Sequence, residues 1–220
     1  MEHQQPSLDT PSDMARRWQT SPVLSGDVLE RLREINRAYL DFLASEPFRS
    51  AANARAQSPD PPVIRLMNLE PAVRSRLSRC PFTLFSARFH DGAFWTNLTQ
   101  TIAVHEPTHL FSKDDAGRRA ATAFAELVLF FAWHLAHANP PAARIALGMS
   151  DQTLTAFKGM SLTYLQYLST AHSDLVTLRW PERTTFWNSF LNTVQRGDEE
   201  RISEMHSLGI QMIAAELTPR

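Results

Sequence analysis

From Asp27 to Ala44, apolar residues recur at Val28, Leu32, Ile35, Tyr39 and Phe42. That three-to-four spacing predicts an amphipathic helix with one buried face. Asp27, with Glu30 three residues on, gives it a capping-box-like start. The helix is expected to end near Pro47. Glu46–Pro62 then reads as a linker, because the run Ser58-Pro59-Asp60-Pro61-Pro62 cannot continue a helix. Pro71 suits the first turn of a short helix over 71–78. The apolar run Phe82–Phe89 fits either a short strand or a buried helical turn. His90-Asp91-Gly92 is a turn, and Phe94-Trp95 lead a helix over 93–101. A second connector, 105–117, contains Pro107 and Lys113-Asp114-Asp115.

The second half opens on the longest apolar helix, Ala121–Ala138, which breaks at Asn139-Pro140-Pro141. A short Ala-rich helix follows and ends on Gly148, a residue able to take the left-handed conformation at a helix C-terminus. Ser150 or Asp151 then caps the next helix, whose Leu154 and Phe157 face inward. This arrangement is helix-turn-helix-like. Further helices are expected around 162–170 and 184–194, with a core segment at Leu175–Trp180 between them. A final amphipathic helix begins near Asp198, with Ile202, Met205, Gly209 and Met212 along one stripe.

The two halves echo each other. Leu77-Ser78 matches Leu168-Ser169, Leu84 matches Leu175, Arg88-Phe89 matches Arg179-Trp180, and Phe94-Trp95 matches Phe186-Trp187. The offset is 91 up to the Arg-aromatic pair and 92 beyond it. A long apolar helix precedes each block, and the first copy is expected to lack the helix that holds Asp151–Phe157. Such a chain can supply both halves of a pseudo-two-fold core. Divided this way it has a flexible tail at 1–25 and repeats at 26–112 and 113–220.

Composition narrows the function. The chain has 220 residues, 43% hydrophobic, with only 7 glycines, which favours a helical core. Its net charge of -1 is not the basic balance of a protein that holds DNA unaided. A single cysteine, Cys80, leaves no internal disulfide and no cysteine-based zinc site within one chain. Phe124–Leu135 is too short to span a membrane and contains Glu126 and His134. The polar N-terminus has no apolar signal core, so a cytoplasmic protein is expected.

Candidate chemistry is sparse. His105-Glu106-Pro107-Thr108-His109 fits the H-E-x-x-H pattern, in which two histidines share a helix face and bind zinc. Pro107 breaks that helix, so the match reads as a loop coincidence. His134 and His137 lack an acidic partner, and Cys80 reads as core. No catalytic residue, metal ligand or cofactor site is expected. The basic candidates near the helix-turn-helix are Arg118, Arg119, Arg144 and Lys158, with Arg179 beside them.

At several of these positions the chain resembles the FlhD family. Leu147-Gly148-Met149-Ser150-Asp151 is similar to that family's Leu-Gly-aliphatic-polar-acidic turn, and Arg179-Trp180 to its Arg-Phe pair. Leu162 and Leu168-Ser169 fit the helix after the turn. Met205-His206-Ser207-Leu208-Gly209-Ile210 resembles its C-terminal helix, and Ile35-Asn36 with Tyr39-Leu40 its opening helix. Family members are small helical proteins that dimerise and join a zinc-bearing subunit, FlhC, to activate transcription. The resemblance therefore implies an all-α fold of two FlhD-like repeats packed as a pseudo-dimer. It implies a non-catalytic regulator subunit that reaches DNA through a complex with an FlhC-like partner; homo-oligomerisation is compatible with it. Arg118, Arg119, Arg144 and Lys158 are then the DNA-contact candidates, and Met205, Gly209 and Met212 the partner-interface candidates. The alternative is a helical adaptor or scaffold with no DNA contact.

Overall fold

The computed structural model describes residues 23–54, 60–102 and 116–218. Among them the fold is all-α: eleven helices and two strands of two residues each. The first half runs α1 (Gly26–Ala44), α2 (Glu46–Ala54), α3 (Pro61–Met67), α4 (Pro71–Leu77), β1 (Phe85–Ser86) and α5 (Gly92–Ile102). The second runs α6 (Ala116–Ala138), α7 (Pro140–Leu147), α8 (Asp151–Gly159), α9 (Leu162–Ala171), β2 (Thr177–Leu178) and α10 (Thr184–Arg196). A last helix, α11 (Glu199–Leu217), closes the chain.

Three expectations change here. The stretch 46–62 is not simply a linker, because it carries α2 and the start of α3. Pro47, Pro61 and Pro62 each stand in the first turn of a helix, where the missing N–H leaves no bond unmade. The first half also holds a helix, α3, at the place in its order that α8 takes in the second. The capping box expected at Asp27 and Glu30 does not form: Ser25 is the N-cap, without a side-chain bond, and Glu30 pairs with Arg33.

The long helices α1 and α6 cross at the centre. Phe42 stacks on Phe124 at 4.9 Å, and Tyr39 lies on Phe124 and Phe85. Farther along, Arg31 Nη1 meets His134 Nε2 at 2.6 Å, so the pair runs antiparallel. At 23 residues α6 is long and apolar enough to cross a membrane by length and composition, where the sequence pattern had suggested a shorter run. In this fold its Val128, Leu129, Ala132 and Leu135 are buried, and it packs against α1, α2, α7, α8 and α9. The core is one cluster running from Val28 to Ile213.

The halves exchange helices. The first half's α5 packs against the second half's α8, and the Tyr164 hydroxyl of α9 donates to Leu98 O at 3.1 Å. Reciprocally, α10 packs against α3 and α4, and Arg65 donates to Asn188 and Asn192, each at 2.8 Å. Between these exchanges β1 and β2 pair antiparallel, with Phe85 opposite Leu178 and Ser86 opposite Thr177. After each strand comes a turn with one non-glycine residue in the left-handed region, Arg88 at φ 55° and Trp180 at φ 51°. A side chain prefers not to enter that region, and a tryptophan pins each turn. Trp95 Nε1 donates to Ala87 O at 3.2 Å, and Trp187 Nε1 to Arg179 O at 2.9 Å.

Candidate functional site

The helix-turn-helix unit forms as its residues dictate. Asn139 caps α7 by accepting from Ala142 N, and Pro140 and Pro141 fill the first turn. Gly148 ends α7 in the left-handed conformation, at φ 68°. Ser150, rather than Asp151, caps α8 by accepting from Thr153 N at 3.2 Å. Leu154 and Phe157 are buried, and Ser150 N donates to Phe89 O, which ties the unit to the other half.

Its electrostatics do not make a strong phosphate site. Arg144 is bonded to Asp151, which sits at the exposed start of α8. Lys158 is exposed in the last turn of α8. Between them the open face offers Gln152 and Thr155. Arg118 and Arg119 are exposed on the first turn of α6. An open groove of about 470 Å³ runs between α5, α8 and α9, lined by Thr99, Thr155, Met160 and Tyr164 among others. Among the described residues, no three His, Cys, Asp or Glu side chains are grouped so as to hold a metal ion. The H-E-x-x-H segment, His105 to His109, lies outside the described residues, as do the tail up to residue 22 and the boundary at 112–113.

Arg179 is not a surface cation. It is 2% exposed and clamps the two halves together. Its Nε donates to Thr83 O at 3.0 Å, and its Nη2 to Thr83 Oγ1 at 2.9 Å and Leu147 O at 2.6 Å. Glu216 of α11 lies 3.8 Å from Nη1 and also accepts from Trp180 Nε1. Burial brings the guanidinium down to about 10, while Glu216 works in the other direction. Cys80 is buried and its thiol is pushed well up, so it is not a ready nucleophile. Asn36 has a clamping role in the first half that its sequence context did not signal. Its Nδ2 donates to Phe82 O at 2.9 Å, and its Oδ1 accepts from Leu84 N at 2.9 Å.

The stripe of α11 expected to meet a partner faces the chain's own core. Gly209 is buried against the Phe82 ring, and a Cβ there would come within 2.2 Å of it. Met205 and Met212 are half-buried against the same core. The apolar stripe was correctly placed on one face, but Phe82 already fills the space in front of it. Two histidines singled out in sequence find partners, His134 on Arg31 of α1 and His137 on the Trp133 carbonyl of its own helix.

Compared with known proteins, the chain matches no family model, no curated protein and no solved structure.

Proposed function

We propose that the chain is a non-catalytic regulator subunit, built as two FlhD-like repeats in one polypeptide, acting on DNA within a complex with an FlhC-like partner. The observation that carries this reading is the reciprocal exchange of α5 and α10 about the β1–β2 pair. With residues taken as equivalent at an offset of 92, the pair Phe85–Leu178 maps onto Thr177–Ser86, which is the other pair of the ladder. The two left-handed turns, at Arg88 and Trp180, stand at the same offset, so the match of Arg88-Phe89 to Arg179-Trp180 read from sequence is one residue out of this register. A duplicated chain that replaces an intertwined dimer has this pattern.

One observation favours the adaptor reading: Asp151, at the start of the helix that would enter a groove, neutralises Arg144 of α7. Co-purification with an FlhC-like subunit, followed by DNA binding of the mixture, separates the two. The regulatory reading expects a stable complex that binds duplex DNA more tightly than either protein alone. A stable complex with no gain on DNA moves the function to the adaptor, and no complex at all removes the FlhC-like partner.

A further inference from the structure

The two exchanged helix groups are alike in arrangement and unlike in charge. The α8–α9 segment with α5 carries one aspartate and one lysine, Asp151 and Lys158. The α3–α4 segment through Arg79, with α10, carries five arginines and one glutamate, Glu70. Arg74 is spent within the fold: it donates to Leu69 O and lies 3.5 Å from Asp41. Arg65, Arg76, Arg79 and Arg196 have no carboxylate partner among the described residues.

Their placement is linked through α10. Arg65 is held between Asn188 and Asn192, one turn apart on its exposed face, so its charge is fixed without further loss of side-chain freedom. Arg196 ends that helix and is exposed. Arg76 lies against Gly197, the C-cap; a Cβ there would be 2.5 Å from its Nη1, and its buried Nε finds no acceptor. Arg79, exposed, follows just beyond α4. The carboxylates that flank this face in sequence are Asp60 and Glu70 at the starts of α3 and α4, Glu182 before α10, which pairs with Arg183, and Glu199 and Glu200 in the first turn of α11; Asp198 beside them pairs with Arg201.

We propose that this face, α3–α4–α10, binds the phosphate backbone of duplex DNA, and that α8 is not the main phosphate contact. Phosphate contacts need cations that no carboxylate has already neutralised, and each one adds to the salt dependence of binding. The face offers four such cations, Arg65, Arg76, Arg79 and Arg196, where α8 offers one, Lys158. This rests on the regulatory reading above.

The test is fluorescence anisotropy of the whole protein on a mixed-sequence duplex of about 30 bp, from about 20 to 200 mM salt, where phosphate contacts dominate. R65Q/R79Q/R196Q is expected to flatten the log–log salt slope by roughly 2–3 and weaken binding at low salt by about tenfold or more. R79Q/R196Q, whose side chains are exposed, should flatten it by about 2 if the triple variant proves unstable. K158Q should change the slope by less than about 1. Binding indifferent to the arginines but lost in K158Q overturns this inference and leaves the regulatory reading standing. No binding to duplex at about 20 mM salt, or capture only by heparin or anionic vesicles, overturns it too. Failure to join an FlhC-like partner instead counts against the regulatory reading, and leaves any phosphate binding by these arginines as measured.

Discussion

Single residues carry much of the closure of α11. Gly209 lets the helix backbone rest on Phe82, whose ring is itself fully buried and faces Trp180 and His206. Adding one methyl at 2.2 Å from a ring with no free space forces either α11 or Phe82 to move. Gly209→Ala is therefore expected to cost about 1–3 kcal/mol despite alanine's better helix propensity. A denaturant midpoint equal to or above wild type would show that α11 sits more loosely. His206, three residues earlier on α11, lies edge-on to Phe82 and Phe190 with its Nε2 buried and unbonded. Burial holds its imidazole below the ordinary value, partly opposed by Glu199. The unfolded chain takes up the proton near pH 6.5, and the folded chain only at lower pH. Stability is thus full above about pH 6.5 and is lost as pH falls through the folded value. Urea midpoints between pH 7.5 and 5 should fall for wild type and fall less for His206→Leu. Parallel declines would assign the acid sensitivity to other groups.

At the scale of elements, the helix-turn-helix unit shows what pattern alone conveys. Gly148, Ser150, Leu154 and Phe157 were readable because each obeys a local rule: a left-handed stop, an N-cap, a buried face. α2 and α3 were not, because proline at a helix start looks the same in sequence as proline in a linker. The sense of the α11 stripe was also hidden. Periodicity reports that a face is apolar, not whether a neighbour in the same chain covers it. The unit's packing gives a direct test. Leu154 is 7% exposed on the α8 face that turns inward, so Leu154→Ala should cost on the order of 2–5 kcal/mol in a thermal or urea melt. Loss of under about 0.5 kcal/mol would mean that α8 contributes little to the core.

At the scale of the molecule, the unpaired arginines and the exchange of helices were beyond local reading for the same reason. Arg179 looks like any surface arginine until Thr83, Leu147 and Glu216 converge on it from separate parts of the chain. Arg65 gains its setting from Asn188 and Asn192, more than a hundred residues away. The proposed repeat, in contrast, rests on a pattern that sequence does carry, aromatic and leucine positions recurring at an offset of 91 and then 92. The exchange has a consequence for folding. If each half contained its own core, residues 26–112 and 113–220 would fold separately. Instead α5 covers α8, α10 covers α3 and α4, and the Arg179 side chain of the second half bonds Thr83 of the first. Each half alone would leave apolar faces open, the Thr83 carbonyl without its Arg179 donor and the Ala146 carbonyl without its Thr83 donor, a cost of about 1–3 kcal/mol for each group left buried. Separately expressed halves should therefore be unfolded or self-associated, and should co-purify one to one with a cooperative melt when expressed together. Arg179→Met in the second fragment should weaken that pairing, since the contact crosses the divide. Two monomeric, independently melting fragments would show that the exchanged helices add little, and would return the chain to a pair of ordinary domains.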